Sequence, residues 1–314
     1  QGLRVRPECR GQLKLALAKL GYPARDLAGY HEGEDLAVEL RTALGDGGEF
    51  GLRDYQRDAV EAFYAGGAAH GGSGVVVLPC GAGKTIVGMG ALVAVGKETL
   101  ILTTNVTALR QWRRELLEKT TLTEEQVGEY SGEVKEIRQI TLSTYQMLTY
   151  RKSKVDDFEH FKLFFEHQWG LIIYDEVHLL PAPVFRFTAE IQATRRLGLT
   201  ATLIREDGKE TEVFSLIGPR KYDVPWRSLE GGGWIADAEC VEVRVELDPG
   251  RKEDYQLAGR RGKFRISSET PAKLEVIENL VRRHRQDHIL VLGQYLDQLE
   301  EVAARLGAPL ITGK

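Results

Sequence analysis

At 314 residues, 42% hydrophobic and 28% charged, the chain is long enough for two domains and has the composition of an ordinary soluble globular protein. Its longest apolar run, Ile86 to Val95, is broken by glycines and too short to span a bilayer, so a buried helix is expected and a membrane partner is not. The net charge of −4 excludes a globally basic binder but not a local basic groove, and three scattered cysteines exclude a disulfide framework or a cysteine metal site and suit a reducing cytoplasm.

The chain begins at Gln1 without methionine or a visible signal peptide, which suggests a trimmed or processed chain. Residues 1–48 read as a small accessory domain. Leu13, Leu15, Leu17 and Leu20 sit in a helical segment that ends at Gly21 and Pro23, and Gly45-Asp-Gly-Gly48 is a linker. Residues 49–225 alternate strand and helix patterns. Strands are predicted at Gly74–Leu78, Thr99–Thr103, Ile140–Ser143, Leu171–Tyr174 and Leu197–Thr200, with helices at Thr85–Val95 and Thr107–Glu118. This rhythm predicts an α/β fold with a parallel sheet covered on both faces. Residues 226–250 open a second lobe through the turn Gly231-Gly-Gly233 and an alternating strand, Cys240–Leu247. Residues 251–269 form an insert with six basic residues between Arg251 and Arg265. In residues 270–314 a helix (Ala272–Arg283), strand (His288–Leu292), helix (Asp297–Leu306) and strand (Pro309–Thr312) are expected, the first part of an unfinished α/β lobe.

Leu78-Pro-Cys-Gly-Ala-Gly-Lys-Thr85 lies between a predicted strand and helix, the context of a phosphate-binding loop, although the strict pattern wants glycine at position 78. Gly81 and Gly83 let the backbone approach phosphate oxygens, and the amides around Cys80, Ala82 and the helix start point at the anion. Lys84 is expected to bridge the β- and γ-phosphates and Thr85 to bind magnesium. The Cys80 side chain itself reads as a small packing residue. The apolar strand Leu171-Ile-Ile-Tyr174 ends in Asp175 and Glu176, where open α/β sheets bind ligands. Asp175 is expected to hold magnesium through water, Glu176 to polarise the attacking water, and His178 to link the γ-phosphate side to the next segment.

Taken together, GKT and the DEVH tetrad resemble superfamily 2 helicases, and the details resemble the XPB type. That resemblance runs from about Leu52 to Lys314 and implies a RecA-like first lobe, an incomplete second RecA-like lobe, ATP and Mg²⁺ as cofactors, and DNA, duplex or forked, as partner. Leu52-Arg-Asp-Tyr-Gln56 is similar to the adenine-reading segment, which assigns Arg53 and Gln56 to the base. Ser143-Thr-Tyr-Gln-Met-Leu148 resembles a strand-contacting motif. Leu197-Gly-Leu-Thr-Ala-Thr202 resembles the motif coupling hydrolysis to movement, through Thr200, Ala201 and Thr202. Arg205-Glu-Asp207 resembles the triplet implicated in duplex opening, and the basic insert resembles a thumb. In this reading Leu78 is a family variant of the loop. Thr104, Gln111 and Thr144, near strand ends or a helix start, are expected to hold DNA phosphates. Arg110, Arg113 and Arg114 read equally well as a solvated helix face.

The family also allows a nuclease or repair partner, which no residue identifies, and a role in repair or transcription. Gln256-Leu-Ala-Gly-Arg-Arg-Gly-Lys263 imitates an arginine-finger motif but stands too early in the chain, so coincidence is the preferred reading. The arginine-supplying segments are expected beyond Lys314. Two other readings stay open: a nucleotide- and DNA-binding module without efficient turnover, and a duplex translocase that does not separate strands.

Overall fold

A computed structural model describes residues 13, 16 and 17, 32–45, 47–68, 71–150, 160, 167–180, 193–202 and 210–312. The chain divides into two compact units, Gln1–Asp237 and Ala238–Lys314.

The first unit is built on a seven-stranded sheet, ordered β3-β4-β2-β5-β6-β1-β7 and parallel throughout. Its strands are β1 (Ser73–Val77), β2 (Thr99–Thr103), β3 (Val127–Tyr130), β4 (Ile140–Thr144), β5 (Leu171–Asp175), β6 (Arg195–Thr200) and β7 (Arg220–Asp223). The five strands predicted from apolar runs all form, within a residue or two of the expected bounds. Their side chains alternate between two cores, as a sheet covered on both faces requires. Val76, Ile101, Ile173 and Leu197 enter one core, and Val75, Leu100, Ile172 and Tyr174 the other.

The first core is closed by α1 (Asp54–Tyr64), α2 (Lys84–Val95) and α3 (Val106–Lys119), which contribute Phe63, Val87, Leu92, Leu109 and Trp112. The second is closed in part by α4 (Tyr145–Thr149) and α5 (Glu210–Ile217), through Tyr145, Leu148, Leu216 and Ile217. Asn105 caps α3 by accepting a hydrogen bond from the Ala108 N–H at 2.9 Å. A short α6 (Trp226–Gly231) follows β7.

The apolar run from Ile86 is a buried helix, as expected, and its glycines are packing sites. A methyl group on Gly88 would meet Trp112 Cη2 at 2.4 Å and Leu199 Cδ1 at 3.1 Å. Trp112 is a rigid ring at 1% exposure and cannot yield cheaply. Gly88→Ala is therefore expected to destabilise the chain by about 1–3 kcal/mol, read as a lowered thermal midpoint. An unchanged midpoint would show slack around Trp112 that the packing denies.

From the amino-terminal region, residues 32–44 run along the first unit. Leu36 and Val38 are buried in its core, Asp35 bridges to Lys97, and Leu40 bridges to Thr120. The leucine-rich helix expected before Gly21 lies largely outside the described residues.

In the second unit the predicted helices form: α9 (Pro271–Arg283) and α10 (Leu296–Leu306). The basic insert holds α7 (Lys252–Leu257) and α8 (Arg260–Ser268). The predicted strands at Cys240–Leu247, His288–Leu292 and Pro309–Thr312 do not form. Alternating or continuous apolar residues become a strand only when a neighbour completes the hydrogen-bond ladder. No paired strand exists among the described residues of this unit, and Val241, Leu290, Leu292 and Ile311 remain well exposed. Among the described residues, no helix is long and apolar enough to cross a membrane.

Candidate nucleotide-hydrolysis site

The loop after β1, Asp175 at the end of β5 and Thr200 at the end of β6 lie at one edge of the sheet. Register makes this unavoidable: Val77 pairs with Thr200 and Asp175 with Leu199, so the carboxyl ends of β1, β6 and β5 stand level. Gly81 and Gly83 both have left-handed backbones, with φ of 79° and 77°. Gly83 is the N-cap of α2, so the amides of that helix's first turn open toward the loop. A Cβ on Gly83 would also strike Gln56 Nε2 at 2.6 Å. Cys80 is exposed at the turn and not packed as expected, because the loop carries it outward.

Lys84 Nζ lies 3.2 Å from Glu176 Oε1, with the two side chains 12% and 28% exposed. The phosphate-loop lysine and the second carboxylate of DEVH are therefore direct neighbours, although 92 positions separate their numbers. Glu176 takes φ 49° and ψ 53°, a left-handed conformation that costs a non-glycine residue about 1–3 kcal/mol. Its Oε2 is buried with no hydrogen-bond donor among the described residues, 3.4 Å from His178 Nδ1. Strain and an undersatisfied oxygen on one side chain fit a group held ready for a reactant.

Asp175 is fixed by two donors. Trp112 Nε1–H donates to Oδ2 at 2.9 Å and the Glu176 N–H to Oδ1 at 3.1 Å. Burial pushes its carboxyl above the ordinary aspartate range and Glu176 pushes the same way, while Trp112, Lys84 and the Glu176 amide pull it down. Each oxygen keeps lone pairs for a further partner. Among the described residues, no three His, Cys, Asp or Glu side chains form a metal cage. Asp175 at the end of β5 and the Thr85 hydroxyl in the first turn of α2 are instead oxygen donors of the kind magnesium takes, with phosphate and water to complete its shell.

His178 links two motifs. Its Nδ1 lies 2.8 Å from Thr200 Oγ1, and that hydroxyl donates to Thr202 O at 2.6 Å. The threonine's single proton is thus committed, and the imidazole N–H is the donor to Thr200. Thr202 N–H donates back to Thr200 Oγ1 at 3.2 Å, closing a tight turn through Ala201.

Arg53 and Gln56 stand at the start of α1, beside the loop. Gln56 is 3% exposed, and both ends of its amide are engaged: Oε1 accepts from Arg53 N–H at 3.0 Å, and Nε2 donates to Ala82 O at 3.1 Å. Tyr55 Oη also donates to Ala82 O, at 2.8 Å.

Three of the expected DNA contacts lie near the same sheet edge or on α3. Thr144 pairs with Thr103, is buried, and caps α4 through its hydroxyl. Thr104 O accepts from Gln146 Nε2 at 2.8 Å. Gln111 is exposed on α3 and contacts Glu115. Arg110 pairs with Glu133 and Arg113 with Glu124, in keeping with a solvated helix face. Arg205, Glu206 and Asp207 lie outside the described residues.

Three contributors carry no signal of their own in the sequence. Trp112 occupies an ordinary apolar position of α3. Tyr145 lies inside the quoted Ser143–Leu148 stretch, yet its hydroxyl donates to Asp175 O at 2.7 Å, and burial together with Asp175 raises it well above a normal phenol, so it stays a donor. Trp234 follows the glycine turn, and its ring lies under the Arg53 guanidinium.

The family model described as "Type III restriction enzyme, res subunit" matches residues 49–205, half of the chain. The chain is 55% identical over 309 residues to "DNA 3'-5' helicase XPB" of Mycobacterium tuberculosis, covering 98% of this chain and 54% of that protein. It is 54% identical over 310 residues to the protein of the same name from Kineococcus radiotolerans, covering 99% and 54%. To "Putative DNA 3'-5' helicase Rad25" of Halobacterium salinarum it is 42% identical over 304 residues, covering 96% and 47%. The chain thus spans about half the length of the curated relatives it matches. On a family match that contains the glycine loop after β1 and both DEVH carboxylates, and on similarity along nearly its whole length to proteins named "DNA 3'-5' helicase XPB", the chain belongs to the type III restriction enzyme, res subunit family.

Proposed function

We propose that the chain carries the ATP-hydrolysing half of an XPB-type DNA helicase or translocase. The observation that carries this reading is the 3.2 Å approach of Lys84 to Glu176 at the open edge of the sheet. A largely buried lysine at the glycine loop and a strained carboxylate with one oxygen lacking a hydrogen-bond donor among the described residues are the two groups that phosphoryl transfer to water needs.

In this reading the loop amides and Lys84 bind the triphosphate, and Arg53 takes the base. Thr85 and Asp175 would hold magnesium, which when bound neutralises charge on the phosphates. Asp175 keeps its orientation through Trp112 and its own neighbour's N–H. Glu176 accepts a proton from water at Oε2, the oxygen with no hydrogen-bond donor among the described residues. His178 reports the state of Glu176 to Thr200 and Thr202, so the 200–202 turn is the element that hydrolysis biases. Tyr145 ties Asp175 to the Ser143–Leu148 stretch, where Thr144 and Gln146 sit beside Thr104. DNA held at that edge, with Gln111 and the Arg205–Asp207 triplet as further contacts, would act on the site through this bond. Repair or transcription of duplex or forked DNA, with a nuclease or repair partner, is the setting this reading implies.

A second reading concerns the 314-residue chain by itself: a module that binds ATP but turns over slowly. The lack of a paired strand among the described residues of the second unit favours it, because an arginine supplied from a formed second lobe is typically worth about 10³-fold or more. Calorimetric titration with Mg-ATP should therefore show binding, while hydrolysis stays slow with and without duplex DNA. No detectable binding would remove the whole reading. DNA-stimulated turnover at about 1 s⁻¹ or faster would remove only the second.

A further inference from the structure

Both ends of the Gln56 amide are already engaged within the protein: Oε1 holds the Arg53 backbone, Nε2 holds Ala82, and the side chain is almost fully buried. What the loop presents outward on that side is a different pair. The Arg53 guanidinium lies 4.7 Å from the centre of the Trp234 ring. Its Nη1 donates to Tyr55 Oη at 3.1 Å and approaches Trp234 O at 3.5 Å. The Tyr55 ring stands 6.3 Å from that of Trp234, and Tyr55 is bonded to Ala82 in the phosphate loop. The next residue, Ile235, flanks Gly81 on the same loop: a Cβ there would meet its Cγ2 at 3.9 Å. Trp234 itself is 47% exposed. A large aromatic ring half in water, carrying a cation and joined to a phosphate loop through two further residues, has the chemistry of a nucleobase platform. Planar guanidinium and indole surfaces both stack on bases, and burying them against a base removes apolar surface from water.

Resting on the nucleotide reading above, we propose that Trp234 is the positioning residue of the base subsite: it holds Arg53 as a flat cationic platform on which the purine of a nucleoside triphosphate stacks, while Gln56 braces the phosphate loop. Trp234 acts through Arg53 and has no part in holding the phosphates. Its loss therefore weakens ligands that carry a base and spares those that do not.

The test compares Mg-ATP with magnesium tripolyphosphate, which has the phosphates and no base, by calorimetric titration of the chain. Trp234→Leu is expected to weaken ATP about tenfold, equivalent to about 1.4 kcal/mol, and to leave tripolyphosphate unchanged. Trp234→Phe keeps an aromatic face and should restore most of the ATP affinity. Arg53→Ala should match Trp234→Leu, and the double variant should lose no more than either single one, because the two act as a unit. Half-exposed Trp234 can be replaced without opening the core, so folding is not at stake. Equal weakening of both ligands, unchanged ATP binding in Trp234→Leu, or additive losses in the double variant would overturn the proposal while the phosphate-loop reading survives. If the unaltered chain binds neither ligand, both fall together.

Discussion

Glu176→Gln should leave ATP bound and nearly stop its hydrolysis, a loss of about 10²–10⁴-fold in turnover by the intact protein, the usual worth of a general base. The isosteric amide keeps the shape of the side chain and loses only its charge and basicity. The structure adds a second expectation. Glu176 Oε1 lies 3.2 Å from Lys84 Nζ, so the carboxylate competes with the phosphates for the lysine and repels them. Removing its charge lifts both penalties, and ATP affinity should rise. Single-turnover hydrolysis and equilibrium binding separate the two effects. A variant that hydrolyses ATP at the parental rate would strip Glu176 of its role; one that binds ATP more weakly would show that the Lys84 pair is not the competitor described here.

Lys84→Ala takes away the cation instead. Removing a preorganised donor from a charge-stabilising site typically costs about 10²–10³-fold, and ATP binding and hydrolysis should both fall by that order. This change also leaves the Glu176 carboxylate without its counter-ion in a partly buried position. The folding cost stays below the roughly 3–5 kcal/mol of a fully buried pair, because Glu176 is 28% exposed. A lower thermal midpoint is therefore expected in the absence of nucleotide. The double variant, Lys84→Ala with Glu176→Gln, should recover that midpoint without recovering hydrolysis. Failure of the midpoint to recover would mean that Lys84 stabilises the fold through something other than Glu176.

These two variants probe opposite ends of one contact, and the contact explains why the motifs alone were enough to find it. The phosphate loop and DEVH each follow an apolar run that is continuous and not alternating. Such runs become central parallel strands, and ligands gather at the carboxyl ends of those strands. Once Gly74–Leu78 and Leu171–Tyr174 are recognised as strands of one sheet, Lys84 and Glu176 have few places to be except together. The same logic brought Thr200 to the edge, since β6 lies between β1 and β5.

Other features had no such route. β3 and β7 escaped notice because Val-Gly-Glu-Tyr and Arg-Lys-Tyr-Asp carry no apolar run, and pairing to β4 and β1 makes them strands. The converse failure occurred in the second unit, where Cys240–Leu247 and His288–Leu292 have strand-like patterns and no ladder. Trp112 was legible only as a core residue of α3. Its indole N–H reaches Asp175 because Gly88 on α2 leaves room for the ring. Gln56 was assigned to the base by resemblance, yet its amide braces Ala82 and the Arg53 backbone, and the exposed aromatic beside Arg53 comes from position 234.

The linear order of residues was sufficient for the parallel α/β class, for the glycine loop between β1 and α2 and for the carboxylate pair at the end of β5 that lies beside it. Each of these is a local matter of period, glycine placement and strand ends, which neighbours in the chain decide. Which side chain steadies Asp175, which oxygen of Glu176 lies idle, and which ring supports Arg53 were decided only by packing. Those partners are remote in sequence, and a hydrogen bond or a stacked ring depends on approach to within a few tenths of an ångström, which no local pattern encodes.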